Sequence, residues 1–321
     1  MIRKLLMLVT LAALPITAMA QVKYVLTDLG TLGGTSSSTN GINSLGQVTG
    51  GASTSAGETH AYRTAPNQGI ALSDDFGTLG GTFSVGNAIN DAGQIAGSSS
   101  TGSTTHAFRS STNFAPLALT DLGTFDGTFS SFGSGINFSG QVTGEAHVAN
   151  TAACSFVFSN SVFRTTSTST VSGGSNLGTL LANNCRSAQG WAINDAGVVV
   201  GESATVLLTG QPNHAFRATG SSPMTDLHPG TSFSNSIAVG INNVGQIVGT
   251  VTVGPAFSPT DTICFRTTPG DNITFPRDDL GSLGAGFCTA RAINGAGDVV
   301  GQRSPVPQST DSSTPVARWW T

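Results

Sequence analysis

One nine-residue pattern, Ile-Asn-x-x-Gly-x-(Val/Ile)-x-Gly, occurs six times in this chain and restricts its fold more than any other feature. Its Ile-Asn pairs are Ile42-Asn43, Ile89-Asn90, Ile136-Asn137, Ile193-Asn194, Ile241-Asn242 and Ile293-Asn294. The first glycines are Gly46, Gly93, Gly140, Gly197, Gly245 and Gly297, and the second are Gly50, Gly97, Gly144, Gly201, Gly249 and Gly301. Between them stands Val48, Ile95, Val142, Val199, Ile247 or Val299. This is the chemistry of a tight β-hairpin. A strand ends at Ile-Asn, the first glycine supplies a positive φ without a Cβ clash, and the Asn amide closes the turn. Alternation in the next strand sends Val or Ile to one face, and the second glycine permits close backbone approach. Calcium ligation by the asparagines is the competing reading, but neutral amides with few acids beside them make a poor hard-cation site.

Two further elements travel with the hairpin. A third strand reads His60-Ala61-Tyr62-Arg63, His106-Ala107-Phe108-Arg109, Cys154-Ser155-Phe156-Val157, His214-Ala215-Phe216-Arg217, Ile263-Cys264-Phe265-Arg266 and, more loosely, Val316-Ala317-Arg318-Trp319. A fourth reads Asp28-Leu29-Gly30, Asp75-Phe76-Gly77, Asp121-Leu122-Gly123, Asn176-Leu177-Gly178, Asp226-Leu227-His228 and Asp279-Leu280-Gly281. Together these motifs resemble the bacterial extracellular HAF-repeat family, named for its His-Ala-Phe tripeptide. The likeness covers nearly all of the chain beyond residue 20, with the tripeptide intact at His106 and His214. It implies an exported protein and carries no established activity.

Four strand signals in a period of 47 to 57 residues match one four-stranded blade, so the spacing predicts an all-β six-bladed β-propeller. An Asp-Leu-Gly strand precedes the first hairpin, whereas none follows the sixth. The N-terminal strand, residues 24–30, is therefore expected to complete the last blade beside Trp319 or Trp320, which removes two sheet edges.

The first 20 residues read as a signal peptide: Arg3 and Lys4, an apolar run over 5–13, and Ala18-Met19-Ala20 before the expected cleavage. Residues 21–321 then form a single six-repeat domain, with no later stretch apolar enough to span a membrane. Only Lys23 remains among lysines after cleavage, charged residues are 9% of the chain and the net charge is −4, a composition unsuited to nucleic acid. Four cysteines in an exported chain point to disulfides. Cys154 and Cys185 hold places in repeats three and four that Cys264 and Cys288 repeat in five and six, so the expected pairs are Cys154–Cys185 and Cys264–Cys288.

No catalytic, metal or cofactor signature stands out. His60, His106 and His214 fall at one strand position in three blades, which holds them apart and marks them as structural. Asp74-Asp75 and Asp278-Asp279 are neighbours in extended chain and point to opposite faces, so they read as polar loop starts rather than acid–base pairs. The expectation is a secreted monomer, extracellular or periplasmic, that acts as a non-catalytic binding or surface-interaction scaffold without cofactors. Its partner class is a carbohydrate or a surface protein. The alternatives are an extracellular carbohydrate-active enzyme with its site on the rim, and a passive structural surface protein. The Asn-x-x-Gly face is expected to be flat and uniform. The ligand is expected on the opposite face, where the loops 98–105, 202–213, 250–262 and 302–315 differ in length.

Overall fold

The computed structural model describes residues 26–149, 158–181, 187–205, 212–220, 223–228, 235–253, 261–281, 286–305 and 316–320. The signal segment, Cys154 and Cys185 lie outside the described residues. Among the described residues the structure is all-β apart from two short 3-10 turns, and each repeat builds its own antiparallel sheet, with strands laid side by side in chain order. Sheet 1 holds β1 (Gly33–Ile42), β2 (Val48–Thr54) and β3 (Thr59–Arg63). Sheet 2 holds β4 (Ser84–Ile89), β5 (Ile95–Ser100), β6 (Thr105–Ser110) and β7 (Leu119–Asp121). Sheet 3 holds β8 (Ser131–Ile136), β9 (Val142–Ala149), β10 (Phe158–Arg164) and β11 (Asn176–Gly178). Sheet 4 holds β12 (Ala188–Ile193), β13 (Val199–Ala204), β14 (Asn213–Ala218) and β15 (Thr225–Asp226). Sheet 5 holds β16 (Ser236–Ile241), β17 (Ile247–Val253) and β18 (Asp261–Arg266), and sheet 6 holds β19 (Gly286–Ile293), β20 (Val299–Pro305) and β21 (Val316–Trp320). In sheets 1 and 5 the fourth element shrinks to single bridges, Tyr62 to Asp75 and Phe265 to Asp279.

The two glycines of the motif perform separate tasks. All six first glycines adopt positive φ, as in Gly46 at 76° and Gly297 at 92°. The second glycine sits opposite a β-bulge in the first strand, such as the register shift between Gly86 and Ala88. A Cβ placed on Gly97 would lie 2.0 Å from the Val85 carbonyl oxygen, and one on Gly201 would lie 1.8 Å from that of Gln189. The bulge thus brings backbone where a side chain would stand.

The apolar core lies between successive sheets rather than within one. Tyr62, Phe108, Phe163, Phe216 and Phe265 of the third strands are fully buried. Ala96, Ala107 and Leu122 of repeat 2 pack with Val142, Phe163 and Val171 of repeat 3. Val200, Ala215 and Leu227 of repeat 4 pack in the same way with Ile247, Phe265 and Ile273 of repeat 5. Each such aromatic contributes about 2–3 kcal/mol by leaving water. A disulfide joins Cys264 of β18 to Cys288 of β19, with Cα atoms 5.6 Å apart, and so ties sheet 5 to sheet 6.

Strand register corrects the third repeat. β9 pairs Gly144 with Phe163 and Thr143 with Arg164, as β5 pairs Gly97 with Phe108 and Ala96 with Arg109. The third strand is therefore built on Ser161-Val162-Phe163-Arg164, not on the Cys154 tetrapeptide. The cause is burial: Phe163 fills the aromatic core site that each neighbouring sheet also fills.

The expected strand over residues 24–30 is not formed in its described part. Residues 26–31 carry no strand, and among the described residues no pairing joins them to β21. Gly30 N–H donates to Asp28 Oδ1, the turn that all six Asp-Leu-Gly elements make. No helix among the described residues is long and apolar enough to cross a membrane.

Gly97→Ala is expected to lower stability by at least about 2 kcal/mol, because backbone must move to admit the methyl group. Gly123→Ala, at a positive φ with open space around it, should lose only about 1 kcal/mol. Urea denaturation of the two variants checks the difference.

A cavity ringed by the asparagine turns

Each turn asparagine uses both ends of its amide. Asn43 Oδ1 accepts from the backbone N–H of Gln47 at 3.0 Å, which closes the hairpin. Its Nδ2 donates to Gln47 Oε1 at 2.9 Å and, with the other hydrogen, to the backbone carbonyl of Asn90 in the next repeat at 3.0 Å. Asn90 reaches Asn137 at 2.9 Å, Asn137 reaches Asn194 at 3.1 Å, Asn194 reaches Asn242 at 3.2 Å, and Asn242 reaches Asn294 at 3.1 Å. Five links of one kind therefore run through six repeats in one direction.

Most of the other recurring polar residues are also committed to the framework, the exception being Arg217, whose Nη1 is buried without a hydrogen-bond partner among the described residues. The arginine ending the third strand donates across to the carbonyl of the next repeat's first glycine: Arg63 to Gly93, Arg109 to Gly140, Arg164 to Gly197 and Arg266 to Gly297. His60, His106 and His214 each place Nδ1 within 2.8–2.9 Å of the aspartate opening the fourth element, Asp75, Asp121 and Asp226. This explains why His-Ala-Phe and Asp-Leu-Gly occur together. The adjacent acids take separate partners, although Asp74 lies in a 3-10 turn rather than in extended chain: it accepts from Ala71 N–H, whereas Asp75 faces His60. Asp278 binds Arg277 and Thr274 N–H, whereas Asp279 caps Gly281.

The same turns from repeats 2 to 6 converge on one cavity of about 270 Å³. Its rim carries the residue that follows each asparagine, and these differ: Asp91, Phe138, Asp195, Asn243 and Gly295. Hydrogen bonds hold them in place. Ser44 N–H donates to Asp91 Oδ1 at 2.9 Å, and Phe138 N–H to Asp195 Oδ1 at 2.8 Å. Asp195 N–H donates to Asn243 Oδ1, and Asn243 Nδ2 returns a bond to Asp195 Oδ2 at 2.6 Å. Phe138 is 65% exposed. The expectation of a uniform face thus holds for the backbone of the turns and fails for their side chains. Of the loops expected to bind on the opposite face, 98–105 is described, whereas 206–211, 254–260 and 306–315 of the other three lie outside the described residues.

A second polar cluster joins repeats 3 and 4. Glu145 accepts from Asn160 Nδ2 at 2.6 Å, and Glu202 accepts from Asn213 Nδ2 at 2.9 Å at the equivalent place in the next sheet. Burial pushes the Glu145 carboxyl above the usual carboxylate range; hydrogen bonds from Gln189 and Asn160 oppose the rise, and the Glu202 charge adds to it.

The two ends of the array differ from its middle. Ile136 and Ile193 are 9% and 8% exposed, whereas the equivalent Ile42 is 69% exposed. β1 and Ala292 of β19 face each other across a cavity of about 550 Å³ that Leu29 also lines. Asn294 donates to Asp298 Oδ2, and among the described residues it makes no sixth link to Asn43.

Folded Glu145 holds its proton to higher pH than the unfolded chain does, so its contribution to stability falls as pH rises above about 4.3. Glu145→Gln is expected to be more stable than the parent at pH 7 and equal to it near pH 4. Urea midpoints at the two pH values check this.

No protein-family model and no curated protein sequence matches this chain.

Proposed function

We propose that this chain is an exported, non-catalytic scaffold that binds a ligand outside the cytoplasm at the mouth ringed by its asparagine turns. The observation that carries this reading is the division of labour in the repeat. The recurring Asn, His and Asp and most of the recurring Arg are bonded into the framework, and the residue after each asparagine, which varies from repeat to repeat, lines a shared cavity in repeats 2 to 6. A rigid ring with variable side chains at one opening is how repeat folds present ligand sites. The disulfide suits the periplasm or the cell exterior. Membership of the HAF-repeat family and a monomeric state belong to the same reading. An array of purified glycans and surface proteins should contain a ligand retained by the parent chain. A variant with Asp91, Phe138, Asp195 and Asn243 all changed to Ala should lose it. Retention by that variant would remove the cavity from the reading. Glu145 favours the enzyme alternative, since burial and the neighbouring Glu202 charge raise its carboxyl, as a general acid requires. Turnover of a retained glycan that stops in Glu145→Gln would establish it.

The scaffold is proposed to be a six-bladed propeller, with residues 26–30 completing the last blade. Support comes from one recurring bond. The leucine of a fourth element accepts from an apolar residue in the following repeat: Leu122 from Val171, and Leu227 from Ile273. Leu29 accepts from Ile70 of repeat 1 at 2.6 Å, so it stands where the fourth strand of a preceding blade would stand. A closed ring supplies the sixth asparagine link and covers Ile42. Asn294→Ala should then cost as much stability as Asn137→Ala, roughly 2–4 kcal/mol for a lost cap and an orphaned carbonyl. An Asn294→Ala loss near 1 kcal/mol, that of the cap alone, would argue for an open array.

A further inference from the structure

The geometry points to a single neutral sugar residue as the ligand unit of the cavity at the asparagine turns. Its hydroxyl groups would be held by the Asp91 and Asp195 carboxylates, and the C–H face of its ring by Phe138. This rests on the scaffold reading above and adds the chemical class.

The rim is rich in acceptors. Asp91 uses Oδ1 on Ser44 N–H, and Oδ2 remains for a ligand hydroxyl. The Asp195 oxygens each take one internal donor, from Phe138 and Asn243, and keep a further lone pair. Asn243 Nδ2 has a second hydrogen to donate. No Lys or Arg lines the cavity among the described residues, so a phosphate or a carboxylate ligand would meet two like charges without a counter-ion.

Order around the rim decides between the remaining classes. Asp91 belongs to repeat 2 and Asp195 to repeat 4, with the Phe138 turn of repeat 3 between them. A compact cation needs oxygens converging on one point, and this alternation keeps the two carboxylates on either side of an aromatic ring. A pyranose has hydroxyls around its edge and an apolar face, which is the complementary pattern. At about 270 Å³ the cavity falls just below the usual range for drug-sized ligands. It holds one ring, so a polysaccharide would enter by its end rather than lie across the mouth. Because the rim is fixed by internal bonds, little ordering is required on binding.

The test is titration of the full mature chain with methyl glycosides of glucose, galactose and mannose, and with N-acetylglucosamine, glucosamine and glucuronate, followed by saturation-transfer NMR and calorimetry. At least one neutral sugar should bind saturably, and glucuronate should not. Asp91→Asn keeps the acceptor for Ser44 N–H, and Phe138→Ala removes an exposed ring, so both should fold with the parent melting temperature. Each is expected to weaken the sugar about tenfold, and Phe138→Trp to restore affinity. Tighter binding of glucosamine than of every neutral sugar would overturn the assignment. So would neutral-sugar binding that both variants leave unchanged. If no neutral sugar binds while an array ligand still depends on the cavity, the sugar class fails and the scaffold reading stands. If array ligands ignore the cavity, the sugar assignment fails and the cavity is removed from the scaffold reading.

Discussion

The carboxamide of the turn asparagine is the interaction on which the rest of the structure depends. Its oxygen folds the hairpin locally, and its nitrogen ties that hairpin to the next one. Aspartate would supply the oxygen without the donors, and serine would be too short to reach the following turn. One side chain therefore couples local folding to lateral assembly. Four of the six asparagines are buried, so their links sit where an unmade bond is costly.

Core placement follows from the same logic. A three- or four-stranded sheet of two- to ten-residue strands hides little on its own. Here Phe108, Phe163, Phe216 and Phe265 of the third strands pack against residues of the preceding repeat, and arginine reaches across the boundary between repeats to a turn carbonyl. The bulge opposite the second glycine admits this approach, because backbone occupies the space a Cβ would need. Stability is consequently a property of adjacent pairs of repeats, as in other repeat proteins.

Much of this could be read from the chain. The turn, the positive φ of the first glycine and the order of the four strand elements all follow from local chemistry repeated six times. What could not be read was direction. Nothing in Asn-x-x-Gly says that its second amide hydrogen leaves the repeat, since the acceptor lies 47 to 57 residues away. The third repeat was obscured because Cys154 and Phe156 offer a nearer imitation of the motif than Phe163-Arg164-Thr165, although Tyr62-Arg63-Thr64 and Phe265-Arg266-Thr267 carry the same ending. The cavity rim escaped notice for the opposite reason. Asp91, Phe138, Asp195 and Asn243 differ from one another, and a search for sameness passes over them.

The one-way sense of the asparagine and arginine links makes the array polar: among the described residues, Asn294 keeps a second amide hydrogen beyond its bond to Asp298, and the carbonyl of Asn43 keeps a second lone pair beyond its bond from Gly46 N–H. Such ends are complementary to each other whether they belong to one molecule or to two. A contact of this head-to-tail kind closes when the rotation per repeat divides the circle and propagates when it does not. Loss of closure would accordingly lead to ordered chains of molecules joined end to end, with every joint using the bonds that already join repeat to repeat.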